Sequence, residues 1–452
     1  MKDGVYISTY GCQMNVNDSE RMYALLEMMN FEPVSTPEQA SLIIINSCSV
    51  REKPVHKVWS EAGHYRKLKQ KNPNLKIGVA GCVAQQEKGQ LLKDIPVLDF
   101  VVGTDHIDRL PLIVQEVLDK SNRVVSAKFE HSQPYQIQTM ISNPGVSTFV
   151  NIMKGCDNFC TFCVVPFTRG RERSRPMMDI INDVNGLVKR GVKEITLLGQ
   201  NVNSYKSPCG ATFPELLQAV VETDIQRIRY TSPHPKDFTR ALAEQMQAGR
   251  HKLMEYLHMP LQSGNTEILE KMNRGYTREE FIEKSKMLLE VIPGAVLSTD
   301  IIVGFPGETE EQFLDTLKML DEVPFDMIYA FKYSPRPFTK AADYGDQLDE
   351  ATKSDRLTRL LAKHREQGFI SSKKYEGQIL QVLVENYHEN DGSCFGRSTQ
   401  NKSVHFPGTK DDVGQTLPIL IREAYPQTLH GEIVRPALPT NQIIDRTGAY
   451  IQ

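Results

Sequence analysis

The hydrophobic positions change their period along the chain, and the changes divide it. In residues 1–118, short apolar runs alternate with amphipathic stretches. Residues 5–10, 42–46 and 75–80 read as strands, being rich in β-branched and aromatic side chains. Between the first two, Met22, Leu25, Leu26 and Met29 follow the i, i+3, i+4, i+7 spacing of a helix, with Asn17 and Asp18 as its predicted cap. Ile107, Leu110, Val114 and Val117 predict a closing helix. Strands joined by crossover helices run parallel, so an open parallel α/β sheet is expected. Residues 119–147 lose the periodicity and carry Pro134, Pro144 and Gly145, the pattern of a linker.

From residue 148 strand and helix signals alternate again, with strands expected at 149–153, 194–198, 227–230, 255–258, 297–303 and 327–333. Capping boxes at Thr277/Glu280 and Thr309/Gln312 open two of the helices between them. Six βα units predict a partial (βα)6 barrel, since a full eight-stranded one needs about 250 residues. A basic helix follows over 353–374, with seven Lys/Arg against two acids. The period then shortens to two over 378–385, 394–397, 403–406, 416–422 and 431–434. Five such segments predict a small OB-like β-barrel, a common nucleic-acid module. The chain thus reads as an α/β protein divided into 1–118, a linker 119–147, a core 148–374, a barrel 375–437 and a weakly ordered tail 438–452.

Composition narrows the function. Apolar residues make up 40% and charged residues 24%, a globular balance. The net charge of −3 excludes a uniformly basic nucleic-acid coat, so any RNA partner must be held by local patches. Apolar runs are strand-sized and too short to cross a bilayer, which predicts a cytoplasmic protein.

Eight cysteines occur, at 12, 48, 82, 156, 160, 163, 209 and 394. Three form C-x3-C-x2-C: Cys156, Cys160 and Cys163. An odd cluster cannot pair off in disulfides, and a fourth ligand for structural zinc is missing nearby. Three soft thiolates suit an iron–sulfur cluster with one iron left open, with zinc as the alternative. Cys12, Cys48 and Cys82 each stand just past a predicted strand, 36 and 34 residues apart. Parallel strands bring them to one carboxyl edge, where open α/β sheets bind ligands. They form either a second three-thiolate cluster site or three buried free thiols. Cys209 and Cys394 read as ordinary free cysteines.

The stretch Cys156-Asp157-Asn158-Phe159-Cys160-Thr161-Phe162-Cys163 resembles the cluster motif of radical S-adenosylmethionine enzymes. Flanking pieces resemble one branch, the methylthiotransferases. These are Tyr10-Gly11-Cys12-Gln13-Met14-Asn15, Asn46-Ser47-Cys48-Ser49-Val50-Arg51-Glu52, Gly81-Cys82-Val83-Ala84-Gln85 and Arg169-Gly170-Arg171-Glu172-Arg173-Ser174-Arg175. Residues 378–434 resemble that branch's RNA-binding TRAM domain. Within it, the Gly-Cys-Gln-Met-Asn and Arg-Gly-Arg-Glu-Arg-Ser-Arg forms are similar to tRNA enzymes that make 2-methylthio-N6-isopentenyladenosine at position 37. Enzymes acting on threonylcarbamoyladenosine tRNA or on a ribosomal-protein aspartate are the alternative within the superfamily, and a zinc-bearing RNA-binding scaffold is the alternative outside it. One departure is visible: Phe338-Thr339-Lys340 stands where the branch usually has Gly-Thr-Pro.

The resemblance implies two [4Fe–4S] clusters, one on Cys156, Cys160 and Cys163 and one on Cys12, Cys48 and Cys82. It also implies S-adenosyl-L-methionine in two roles, as methyl donor and as source of a 5′-deoxyadenosyl radical. Adenine C2–H is neither acidic nor activated, so the cofactor supplies the hard step and no side chain is assigned as acid or base. Strand-end position predicts cofactor contacts from Gly199, Gln200, Asn201, Ser232, Gln262, Ser263 and Gly304. The guanidinium forks of Arg169, Arg171, Arg173 and Arg175 are expected on substrate RNA, with a solvated charge run as the alternative. Residues 51–76, with eight Lys/Arg against two Glu, are expected to flank the same groove. The expected partners are tRNA, an electron donor and iron–sulfur assembly proteins, with no membrane and a monomeric state.

Overall fold

A computed structural model describes residues 3–120, 122–129, 135 and 138–435. It falls into two compact units, Met1–His364 and Arg365–Gln452. The expected tail, 438–452, and part of the expected linker lie outside the described residues.

The first unit opens with a six-stranded parallel sheet. Its strands are β1 (Asp3–Tyr10), β2 (Phe31–Pro33), β3 (Leu42–Ser47), β4 (Lys76–Gly81), β5 (Phe100–Val102) and β6 (Val124–Ser126), in the order β2-β1-β3-β4-β5-β6. β3 is buried at every position, as its unbroken run of Leu and Ile requires of a central strand covered on both faces. Two differences from expectation have physical causes. Residues 124–126 lie in the expected linker, yet they pair with β5 as a sixth strand and no longer read as connector. Three residues are too few to show a period. The first helix, Gln13–Glu27, begins at Cys12, so Asn17 and Asp18 lie inside it rather than capping it. Asp18 is held there by a distant arginine.

The core of the same unit carries β7 (Ser147–Asn151), a two-stranded antiparallel pair β8 (Met153–Lys154) and β9 (Arg173–Ser174), and β10 (Glu194–Leu198), β11 (Arg227–Tyr230), β12 (Tyr256–His258), β13 (Val296–Val303) and β14 (Phe325–Lys332). Sheets β11-β10-β7 and β12-β13-β14 are parallel, and an isolated bridge pairs Ile228 of β11 with Leu253, three residues before β12. Six parallel strands with crossover helices make the expected partial barrel. Both capping boxes form, Thr277 with Glu280 and Thr309 with Gln312. Among the described residues no helix is long and apolar enough to cross a membrane.

The second unit contains a closed barrel ordered β15-β16-β17-β19-β18, from β15 (Ile379–His388), β16 (Ser393–Ser398), β17 (Ser403–Pro407), β18 (Thr416–Ala424) and β19 (Thr428–Ile433). Closure removes the free sheet edges that five short strands would otherwise expose. Cys394 is buried in its core with Val382, Phe406 and Ile419, as a small hydrophobe.

The helix Glu350–Lys373 is the basic helix expected over 353–374, and its first cations face the protein. Lys353 and Arg356 are buried, Arg356 donates to Glu308 at 2.7 Å, Arg359 pairs with Glu310 and Lys363 with Asp321. Its first cations are spent on holding the helix to the barrel.

Gly78 of β4 stands opposite Phe100 of β5, whose ring fills the space a Cβ would need, 2.1 Å away. Gly78→Ala is therefore expected to destabilise this unit by about 1–3 kcal/mol through overpacking. Urea unfolding followed by circular dichroism measures it.

Candidate cluster sites and their surroundings

Cys12, Cys48 and Cys82 follow β1, β3 and β4, three adjacent strands. Their thiols meet at the carboxyl edge of the sheet, Cys48 lying close enough to Cys12 and Cys82 for the three to shift one another's acidity. The residues before them allow the approach. A Cβ on Gly11 would lie 2.4 Å from Cys48 Cβ, and one on Gly81 would lie 2.3 Å from Asn46 Oδ1. Both also sit at positive φ, +144° and +86°, where glycine is strongly favoured. Beneath them Asn15 Nδ2 donates to Asn46 Oδ1 (3.0 Å), and Asn46 Nδ2 returns to Asn15 O (2.7 Å) and Ser19 Oγ (2.8 Å). The Cys48 thiol lowers Cys12 to about 6 and Cys82 to about 7, against their burial and with help from Arg169.

Cys156, Cys160 and Cys163 lie on the loop between β8 and the short helix Val165–Thr168. The β8–β9 pair closes the base of this loop, and Cys156 N donates to Gly170 O at 3.2 Å. Gly155, at φ +80°, would place a Cβ 2.0 Å from Arg171 O. Burial pushes Cys156 up to about 11 and Cys163 to about 12. Such thiols keep their protons until a cation takes their place. Arg274 Nη1 donates to Cys160 Sγ at 3.3 Å and Nη2 to Pro260 O at 2.8 Å. Asn273 holds the carbonyls of Asn158 (3.0 Å) and Phe159 (3.2 Å). Among the described residues no three His, Cys, Asp or Glu side chains are disposed as a ready site for a single metal ion. The donor sets, three soft thiolates each with a buried guanidinium nearby, suit a larger anionic iron–sulfur group.

The seven strand-end residues follow the carboxyl ends of β10–β13, and Gln200 among them bonds to the base of the cysteine loop. Most of their polar groups are spent on the protein. Gln200 Oε1 accepts from Gly155 N at 2.6 Å, and Asn201 Nδ2 donates to Asp237 at 2.9 Å. Ser263 Oγ accepts from Asn265 N at 3.3 Å. A Cβ on Gly199 would lie 2.5 Å from Met153 Cγ, and one on Gly304 would lie 2.3 Å from Lys353 Cγ. Ser232, Gln262 and Gly304 take positive φ values of 60°, 76° and 71°. Gly304 is thus required by its helix neighbour, a packing reason that strand-end position did not show.

The four arginines do not form one surface. Arg169 is buried and paired with Asp18 at 2.7 Å, and its charge favours the Cys12 and Cys82 thiolates. Arg175 is fully buried and donates to Asp183 (2.6 Å) and to Asn151 O (2.8 Å). The RNA role expected for these two is corrected: a cation enclosed with its carboxylate cannot reach a phosphate. Arg173 is half-buried and shares Asp105 with the buried Lys154. Arg171 is exposed, 2.6 Å from Asp157 and 4.9 Å over the Phe159 ring. Cys209 is exposed and outside both triads.

Arg274, Asp18, Asp105 and His234 were not legible as site residues. Arg274 lies 114 residues from Cys160 in sequence, so no local spacing could announce it. His234 is pushed down to about 2 by burial and by Arg274, Lys236 and Lys284, which leaves its ring neutral.

Three family models match the chain in succession: Uncharacterized protein family UPF0004 over residues 4–103, the Radical SAM superfamily over 150–320 and the TRAM domain over 373–434. Fold and thiol loops together define a radical S-adenosylmethionine protein, a class that implies that cofactor and a [4Fe–4S] cluster. Among curated proteins, tRNA-2-methylthio-N(6)-dimethylallyladenosine synthase of Bdellovibrio bacteriovorus is 59% identical over 435 residues, 96% of each chain. That of Anoxybacillus flavithermus is 43% identical over 96% of this chain and 83% of its own. The chain belongs to this tRNA-2-methylthio-N(6)-dimethylallyladenosine synthase family. Among solved structures, the radical S-adenosylmethionine methyltransferase TsrM from Kitasatospora setae aligns with a TM-score of 0.56 at 14% identity, covering 76% of this chain and 77% of its own. The cobalamin-dependent radical enzyme OxsB aligns at 0.52 and 12%, covering 80% and 55%. At such identities the likeness is one of fold.

Burial raises Glu172 to about 7, and Ser204 Oγ donates to it at 2.7 Å. A carboxyl raised in the folded state stabilises fully below its ordinary value of 4.5 and loses that contribution as pH rises through 7. Glu172→Gln is therefore expected to unfold a few degrees above the parent at pH 8, the gap closing by about pH 4. Thermal unfolding at both pH values checks this.

Proposed function

We propose that the chain inserts a methylthio group at C2 of N6-dimethylallyladenosine, position 37 of tRNA, with two clusters on its six convergent cysteines. Two molecules of S-adenosylmethionine are used per turnover. The observation that carries this reading is the meeting of Cys12, Cys48 and Cys82 at one sheet edge, with Arg169 from the loop after Cys163 buried beside them.

Cys156, Cys160 and Cys163 would hold the cluster whose electron opens S-adenosylmethionine, and Cys12, Cys48 and Cys82 the cluster from which sulfur is delivered. The protein's own task is placement. Gln200 anchors Gly155 and with it the cysteine loop. Arg274 balances charge at Cys160, and Arg169 does so at Cys12 and Cys82. The backbone at Gly199, Ser232, Gln262 and Gly304 offers the cofactor a close surface, while Gln200, Asn201 and Ser263 hold that surface in shape. For RNA, Arg171 remains, together with the exposed Arg66, Lys67 and Lys71 of the helix Glu52–Lys71 and the TRAM barrel. An electron donor and cluster-assembly proteins complete the partners.

Two triads imply about eight irons per chain after anaerobic reconstitution, taking four-iron clusters. Replacing Cys156, Cys160 and Cys163 by Ala is expected to leave about four irons and abolish formation of 5′-deoxyadenosine. Replacing Cys12, Cys48 and Cys82 is expected to leave that cleavage and abolish the methylthio product, read by nucleoside mass spectrometry of tRNA. Methylthiolation by the second variant would overturn the sulfur assignment.

Each phosphate neutralised releases counterions, so the salt slope counts contacts. Arg171→Ala with Lys67→Ala is expected to weaken anticodon-stem-loop binding and reduce that slope by roughly one to two units. Arg175→Lys, a buried position, should leave the slope unchanged in filter binding from low to moderate salt.

A further inference from the structure

Two polar groups beside the cysteine loop lack the partners their surroundings demand. Glu172, half-buried just before β9, accepts from Ser204 Oγ at 2.7 Å. Among the described residues no Lys, Arg or His lies within ion-pair distance of it, and burial pushes it up to about 7. His234, past the carboxyl end of β11, is 7% exposed, and its Nε2 has no hydrogen-bond partner. Its Nδ1 accepts from Lys236 N at 3.3 Å, so the neutral ring carries its hydrogen on Nε2. A buried N–H without an acceptor is costly and calls for a reason.

Hydrogen bonds and one ring contact join the two groups into a single arc from Cys156 to Cys160. Glu172 N donates to Oδ1 of Asp157, the residue after Cys156, at 3.2 Å. Ser204 Oγ also lies 2.8 Å from Asn201 O, and Asn201 Oδ1 accepts from His234 N at 3.2 Å. The His234 ring meets Tyr276 edge-on at 5.7 Å. Arg274 then reaches Tyr276 Oη at 3.0 Å and Cys160 Sγ at 3.3 Å.

The arc is electrically divided. Near His234 stand Arg274, Lys236 and Lys284, none of them within ion-pair distance of a carboxylate. Lys284 donates instead to the carbonyls of Pro235 (2.6 Å) and Lys236 (3.1 Å). At the Cys156 end Asp157 is taken by Arg171 and Asp237 is held by Asn201, which leaves Glu172 without a counter-charge. Groups left unsatisfied in this way lower stability and mark a place kept for a ligand.

We propose that this arc seats the amino-acid end of S-adenosylmethionine, the Glu172 carboxylate taking its α-ammonium and His234 Nε2–H donating to its α-carboxylate. The inference rests on the function proposed above for the identity of the cofactor, which the Radical SAM match implies. An α-amino acid group carries both signs on neighbouring atoms, as the divided arc requires. An RNA phosphate would suit the cations but be repelled by Glu172. The seat also lies between Cys156 and Cys160, where a cluster on three thiolates leaves one iron open.

The test uses three ligands: S-adenosylmethionine, its decarboxylated form, which keeps the ammonium, and 5′-methylthioadenosine, which has neither charge. Dissociation constants are measured by equilibrium dialysis at pH 8 with the anaerobically reconstituted full chain, its Glu172→Gln variant and its His234→Phe variant. Glu172→Gln is expected above to be more stable than the parent at this pH, so its loss of binding is not a loss of fold. It should weaken S-adenosylmethionine and the decarboxylated form by about ten- to a hundredfold and leave 5′-methylthioadenosine within twofold. His234→Phe should weaken only S-adenosylmethionine, by about tenfold. A variant that binds S-adenosylmethionine as the parent does would overturn the proposal. So would an equal loss of all three ligands, which would make the residue structural, or a loss of the decarboxylated form in His234→Phe equal to that of the intact cofactor. Iron content and formation of 5′-deoxyadenosine by the parent are read in parallel. If the parent neither binds nor cleaves S-adenosylmethionine, the function proposed above falls and the seat with it. If the parent does both and the variants keep its three affinities, only the seat falls.

Discussion

Buried and half-buried cations hold the first unit together, and four of them are tied to carboxylates. Lys154 and Arg173 share Asp105, Arg169 takes Asp18 and Arg175 takes Asp183. Leaving any one unpaired in such surroundings costs several kcal/mol, so the segments that carry these charges have few alternatives. Asp18 and Asp105 belong to the N-terminal sheet layer; Lys154, Arg169 and Arg173 flank the cysteine loop on both sides. The pairs thereby fasten the loop that bears Cys156, Cys160 and Cys163 to the edge that bears Cys12, Cys48 and Cys82. Thr104 Oγ1, donating to Thr168 O at 2.6 Å, and Lys154, donating to Thr104 O at 2.8 Å, add ties to backbone carbonyls across the same junction.

The two triads differ in charge preference, and the fold explains why. At the sheet edge the Cys48 thiol and a buried guanidinium favour thiolates at Cys12 and Cys82. On the loop, desolvation dominates at Cys156 and Cys163 and favours the neutral thiols. Arg274 donates to Cys160, and its charge opposes the rise at Cys163 without cancelling it.

Much of the molecule was legible in the chain. Period two and period 3.6 located three of the six strands of the first sheet, β1, β3 and β4, the partial barrel strands and all five strands of the closing barrel. The spacing of Cys12, Cys48 and Cys82 predicted one shared edge, because parallel strands leave it no other place. The three-residue strands Phe31–Pro33, Phe100–Val102 and Val124–Ser126 were not legible, because three residues show no period.

Local sequence determined which residues are thiols, which strands are parallel and where glycine must stand, since backbone sterics and periodicity act over a few residues. It did not determine what the arginines do. Arg169, Arg171, Arg173 and Arg175 look alike in sequence, two residues apart, yet one serves a thiol triad, one is exposed, one shares Asp105 and one is sealed beside Asp183. A guanidinium's role depends on whether water or a carboxylate surrounds it. Those carboxylates arrive from 151, 14, 68 and 8 residues away, and only tertiary structure brings them there.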